Sequence, residues 1–86
     1  MLTNAQKQAL EPQQTAYMKH IANIDASILA LLDGRQNDYA VSFDPVFVSY
    51  RQAKANCEFC RADLTITQEM VDEVVSKAVL VAEKYK

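Results

Sequence analysis

The chain has 86 residues, half of them apolar, and its nine basic and eleven acidic side chains give a formal net charge of −2. This composition excludes intrinsic disorder, and it lacks the basic excess typical of nucleic-acid binding. A single glycine, Gly34, excludes Gly-rich phosphate loops, which need several. The longest apolar runs, 28–32 and 78–82, are far shorter than the roughly 20 residues of a membrane span. Because the first residues lack the apolar core of a secretory signal, we expect one cytoplasmic domain over residues 1–86, with no membrane partner.

The first predicted helix is marked by side chains at three- and four-residue intervals. They are Leu10, Gln14, Tyr17, Ile21, Ile24, Ile28 and Leu31, with Gln14 as the one polar step. Pro12 lacks a backbone donor and disfavours helix at the residue before it, so the helix is predicted to begin there. Gly34 suits the left-handed residue that ends a helix. Residues 3–10 are predicted to form a short separate helix, opened by Thr3 or Asn4.

Two further helices are predicted from their start signals. Asp44-Pro45 combines a capping side chain with a proline at the first helical position. Thr65 or Thr67 is predicted to cap the third helix, whose first turn carries acidic residues that suit the helix dipole. The apolar stripes of the two helices are Val46, Tyr50, Ala53, Cys57, Cys60 and Leu64, and then Val71, Val74, Ala78, Val81 and Tyr85.

These patterns predict an all-α fold, a small antiparallel three-helix bundle that associates with further copies of itself. The alternative is an α+β fold with short strands near 39–43 and 64–67, because residues 39–43 alternate in the manner of a strand. We expect the rings of Phe43, Phe47 and Tyr50 to belong to the core.

The second helix carries more apolar surface than a monomeric bundle needs. At about 100° per residue, Val48, Ala55 and Phe59 point away from its core stripe, flanked by Arg51 and Gln52. A surface helix should be polar on that side, so this second stripe predicts a surface that binds another protein or another copy. The alternative is that the N-terminal segment, with Leu2, Ala5, Ala9 and Leu10, packs over it within one chain.

The sequence offers little for catalysis or metal binding. Cys57 and Cys60 have the spacing of half a zinc site, but the chain has no further cysteine and only one histidine, His20. We therefore interpret the two cysteines as small buried side chains and His20 as a surface or boundary residue. The alternative for the cysteines is a zinc ion shared by two such pairs across a dimer. Glu69, Asp72 and Glu73 are explained by the helix dipole. We expect no enzyme activity, no catalytic residues, no metal and no cofactor.

Asp25 interrupts a second apolar stripe on the first helix. A half-buried carboxylate needs a partner, and Arg51 or Arg61 are the candidates. The alternative is that Asp25 lies in water.

The middle segment, 35–61, concentrates arginine, tyrosine and phenylalanine, which dominate interface energetics. We predict a non-enzymatic regulatory, inhibitory or adaptor protein that binds a protein partner and forms a homo-oligomer. Phe59 and Tyr39 would anchor the contact, and Arg35 and Arg51 would orient it. The predicted partner-binding residues are Arg35, Tyr39, Val48, Arg51, Gln52, Ala55 and Phe59. The alternative is a binder of nucleic acid or of a nucleotide-type ligand that uses segment 35–61.

Overall fold

A computed structural model describes residues 1–86 as an elongated helical bundle, 45 × 19 × 18 Å. Its elements are α1 (Asn4–Leu32), a 3-10 turn (Arg35–Asn37), α2 (Tyr39–Ser42), α3 (Pro45–Arg61) and α4 (Gln68–Tyr85). The all-α prediction is confirmed, and the three predicted long helices pack together as α1, α3 and α4. The α+β alternative is wrong, because residues 39–42 form one helical turn and no strand forms near 64–67.

Helix α1 is continuous through Pro12, so the predicted start at Pro12 and the separate helix over 3–10 are wrong. The Thr3 hydroxyl accepts from the Gln6 backbone, and the Gln6 side chain accepts from the Thr3 backbone. This capping box stabilises a helix start at Asn4, eight residues before Pro12. Long-range contacts hold both sides of the proline: Glu11 pairs with Arg61, and Gln14 bonds to Ile66. These contacts offset the one backbone hydrogen bond that a proline removes.

Two consecutive left-handed residues turn the chain after α1. Asp33 has φ 50° and Gly34 has φ 87°, which confirms the predicted left-handed glycine at the helix end. The Asp33 N–H donates to the carbonyl of Leu29 and closes the last turn. The 3-10 turn and α2 then bring the chain to Asp44, whose carboxylate accepts from the Val46 N–H at 2.8 Å and caps α3 as predicted.

The connection from α3 to α4 is short and partly buried. Leu64 adopts a left-handed backbone conformation, with φ 58°, and turns the chain. Leu64 and Ile66 are both buried, although both lie beyond the end of α3. Thr67, and not Thr65, caps α4 by accepting from the Met70 N–H.

The core lies between α1, α3 and α4 and follows the predicted stripes, except that Leu32 and not Leu31 is buried at the end of α1. Phe47 and Tyr50 are buried as expected, and they join a cluster of Ile21, Ile28, Leu32, Val41, Ala53, Cys57, Ile66, Val71, Val74, Ala78 and Val81. The expectation for Phe43 is wrong, since its side chain is 67% exposed. Within the single turn of α2, Val41 faces the core, so Phe43 two residues later cannot share its direction.

Asp25 is neither free in water nor paired with Arg51 or Arg61, so both expectations are corrected. Its two carboxylate oxygens accept from the Tyr50 hydroxyl at 2.8 Å and pair with the Lys54 ammonium at 3.2 Å. Tyr50 and Lys54 are four residues apart on α3, so both side chains reach the same turn of α1.

Candidate protein-binding surface

The side of α3 that faces away from the core carries Val48, Gln52, Ala55 and Phe59. We call these four residues the α3 outer face. They follow a four, three, four spacing and fall within about 60° of one direction on the helix. Phe59 is 78% exposed, and Ala55 and Gln52 are exposed as well. Most of the Phe59 ring is therefore free to contact another molecule.

Helix α2 and the residue that follows it add two more aromatic side chains to this surface. The ring centroids of Tyr39 and Phe43 lie 4.7 Å apart, and Tyr39 is 80% exposed. Phe43 lines a shallow groove together with Val48, Arg51, Gln52 and Ala55. The one-turn helix therefore extends the apolar surface sideways from α3.

The N-terminal segment does not cover the α3 outer face, so that alternative is wrong. Met1 and Leu2 lie instead near Arg61 and Leu64, at the far end of α3. The extension of α1 through Pro12 is the cause, because the continuous helix carries the N-terminal residues to the C-terminal end of α3. The second apolar stripe is left without a partner inside the chain.

The structure brings together most of the predicted partner-binding residues. Val48, Arg51, Gln52 and Ala55 line the groove. Phe59 falls in the same direction on the helix, but it borders a separate depression with Met70 and Glu73 of α4. Tyr39 joins the groove residues through its contact with Phe43. Sequence reasoning missed Phe43 as a surface residue. Phe43 and Phe47 are four residues apart, which is the spacing of a core stripe on one helix, and this spacing gives no sign of the break between α2 and α3.

Arg35 has a different environment from the other predicted residues. Its guanidinium donates to the carbonyls of Leu31 and Leu32 at the end of α1, and to the carbonyl of Tyr85 at the end of α4. It also lies 5.8 Å from the centre of the Tyr85 ring. A cation suits two helix C-termini, so Arg35 joins the ends of α1 and α4.

The other basic side chains of segment 35–61 also have partners within the chain. Lys54 pairs with Asp25 and, at 3.8 Å, with Glu58, while Arg61 pairs with Glu11. Arg51 lies 5.6 Å from the centre of the Phe47 ring and donates to the Ser42 carbonyl at 3.5 Å. Of these cations, Arg51 makes the loosest polar contact and is the most available to a ligand.

The cysteines and histidine do not assemble a reactive site. Burial raises the pKa of Cys57, with smaller contributions from Cys60 and Glu58, so this thiol is poorly ionised at neutral pH. Cys57 is buried and Cys60 is half-buried, and both are free thiols. His20 is exposed. No group of three histidine, cysteine, aspartate or glutamate side chains is placed to hold a metal ion.

A polar cluster joins the start of α3 to the end of α4. Asp44 accepts hydrogen bonds from Lys84, Tyr85 and the Val46 backbone, and these partners lower the pKa of its carboxyl from 3.8 to about 2. The same carboxylate raises the pKa values of Lys84 and Tyr85. Asp44 was identified in the sequence only as a helix cap, because nothing in the local pattern indicates partners about 40 residues away.

No protein-family model matches the chain, and no curated protein or solved structure shows significant similarity to it. None of its helices combines the length and apolar character that crossing a bilayer requires.

Proposed function

We propose that this chain is a non-enzymatic regulatory, inhibitory or adaptor protein that acts by binding another protein, and that it works as a homo-oligomer. The observation that carries the proposal is the exposure of three aromatic rings, Tyr39, Phe43 and Phe59, on the surface formed by α2 and the α3 outer face. The free thiols of Cys57 and Cys60 support a reducing compartment, and we place the protein in the cytoplasm.

Exposed rings of this kind are typical of interface anchors. Each large aromatic side chain buries about 150–250 Å² when a partner covers it, and truncating such an anchor commonly costs about 2 kcal/mol or more of binding free energy. Gln52 and Arg51 border the apolar residues and can satisfy polar groups at the rim of an interface. The surface thus combines an apolar centre with a polar edge.

The charges favour a protein partner over nucleic acid. Phosphate binding needs several cations free to contact the backbone, whereas Lys54 and Arg61 are paired with carboxylates and Arg35 with carbonyls. Binding to a labelled oligonucleotide that is tight at low salt, and that falls steeply as salt is added, would favour nucleic acid and contradict the proposal.

The proposal is tested by affinity capture from the lysate of the organism that encodes the chain. Wild-type protein and the Tyr39→Glu variant serve as baits, and Leu80→Glu is the matched control because Leu80 is an exposed apolar residue of α4 outside this surface. We expect a protein that the wild type and the control retain and Tyr39→Glu loses, and we expect the purified pair to bind directly. If every captured protein is retained equally by all three baits, the proposal fails.

A further inference from the structure

The α3 outer face carries a projecting aromatic ring near one end and a groove along its side. Phe59, 78% exposed, projects near the C-terminal end of α3. The groove beside this face begins at Phe43 and Val48, near the N-terminal end of α3, and continues along the helix to Glu58. Val48 and Phe59 are separated by about 16 Å along the helix axis. We propose that this face binds a second copy of the chain, with the two α3 helices antiparallel and Phe59 of each copy seated in the groove of the other.

The spacing of the face fits this arrangement. Val48, Gln52, Ala55 and Phe59 alternate steps of four and three, which is the seam of a two-helix coiled coil. A two-fold axis between positions 53 and 54 places Val48 opposite Phe59 of the second copy, and Gln52 opposite Ala55. The small Ala55 side chain near the axis lets the helices approach closely. Both aromatic contacts form at once, as a closed two-fold interface requires.

Charge complementarity selects the antiparallel direction. Arg51 and Glu58 lie two turns apart on the same edge of the α3 outer face. In an antiparallel pair of helices, this edge of one copy lies against the same edge of the other copy. Arg51 of each copy then lies beside Glu58 of the other. In a parallel pair they would instead meet the opposite edge, at Ser49 and Asn56, which carries no charge.

Both charges are available for this pairing. Within its own chain Glu58 has only the 3.8 Å contact with Lys54, and Arg51 donates only over 3.5 Å to the Ser42 carbonyl. Neither contact is short enough to hold the side chain firmly. Two Arg51–Glu58 pairs can therefore form across the dimer without breaking a strong contact inside either chain.

The dimer rests on the proposed function and deepens it, because it assigns the α3 outer face to a second copy. Tyr39 lies outside the seam and is left for the protein partner. A seam of about three turns is short, so we expect association in the micromolar range.

The test is sedimentation equilibrium of the purified chain across the micromolar range. We expect a monomer–dimer equilibrium whose dissociation constant rises at least about hundredfold in Phe59→Glu, because two anchors are lost per dimer. Leu80→Glu is the matched control and should leave the constant unchanged. Circular dichroism and thermal melting should show that both variants remain folded, since both side chains are exposed in the single chain.

The direction of the helices is tested by charge reversal. Arg51→Glu and Glu58→Arg should each weaken the dimer about tenfold, because each reversal places like charges together twice. The combined variant restores both pairs with opposite polarity and should return to within about threefold of the wild type.

A wild-type chain that stays monomeric throughout the range would overturn the dimer, and a combined variant weaker than either single reversal would overturn the antiparallel register. A monomeric wild type would also contradict the homo-oligomer part of the proposed function. Neither result bears on the binding of a protein partner, which is measured separately by capture on wild type and Tyr39→Glu. Conversely, if sedimentation of the variants gives the expected constants, the dimer is supported even when the Tyr39→Glu bait retains every protein that the wild type captures.

Discussion

The side-chain amide of Gln14 forms two hydrogen bonds with the backbone of Ile66, 52 residues later in the chain. Its nitrogen donates to the Ile66 carbonyl at 2.9 Å, and its oxygen accepts from the Ile66 N–H at 2.9 Å. Both residues are buried, so the Gln14 amide supplies the hydrogen-bond partners that the N–H and carbonyl of Ile66 would otherwise lack. The pair attaches the α3–α4 connection to α1.

Replacing Gln14 with leucine should destabilise the fold by about 2–4 kcal/mol, because a buried N–H and a buried carbonyl of Ile66 would both lose their partners. Urea denaturation measures the change. Gln13→Leu is the control, since Gln13 is exposed on the next position of the same helix and should shift stability by less than about 0.5 kcal/mol. Equal stability of the two variants would contradict a role for the buried amide pair.

Asp44 should make the protein sensitive to acid. Its folded-state pKa of about 2 lies below the ordinary value of 3.8, so its contribution to stability is present above about pH 4 and is lost as the pH falls toward 2. In Asp44→Asn the melting temperature should be lower at neutral pH and should vary less between pH 2 and pH 4. Asp63→Asn, which removes an exposed carboxylate, provides the comparison. Unchanged acid dependence in Asp44→Asn would contradict this assignment.

Tyr50 should make the protein sensitive to alkali. Burial, followed by the hydrogen bond to Asp25, raises the pKa of its phenol well above 10. The folded state thus favours the protonated phenol, and the resulting stability is present below about pH 10 and is lost as the pH rises further.

Tyr50→Phe tests the hydroxyl directly. It should cost about 1–2 kcal/mol at neutral pH, because Asp25 loses a hydrogen bond to its carboxylate. Tyr39→Phe removes an exposed hydroxyl and should have little effect on stability. Chemical denaturation at neutral and alkaline pH measures both variants, and a Tyr50→Phe protein as stable as Tyr39→Phe would disprove the contribution of this bond.

Phe43 and Phe47 should respond in opposite ways to the same substitution. Phe47 is 4% exposed and Phe43 is 67% exposed, although they are four residues apart. Phe47→Ala should cost about 3–5 kcal/mol of folding free energy through the cavity it leaves. Phe43→Ala should leave stability within about 0.5 kcal/mol and weaken self-association. Denaturation and sedimentation separate the two effects, and a large loss of stability in Phe43→Ala would contradict its assignment to the binding surface.

Local signals in the sequence determined most helix ends and the core stripes. Capping is a contact between residues two or three apart, so Asp44-Pro45 and the left-handed Gly34 could be recognised without a tertiary structure. Helical periodicity likewise separated the buried Tyr50 and Cys57 from the exposed Phe59. The second apolar stripe of α3 was recognised from the same periodicity, and its residues make up most of the candidate surface.

The tertiary structure alone decided which distant residues meet. A helix through Pro12, the pairing of Gln14 with Ile66 and the cluster around Asp44 all depend on partners about 40–50 residues away, and no local spacing encodes them. The exposure of Phe43 depends on how the one-turn helix α2 is oriented against the bundle. The distribution of apolar residues around the helices predicted a protein that works by contact. Only the packing of α1, α3 and α4 left the α3 outer face uncovered, because it placed the N-terminal residues at the C-terminal end of α3.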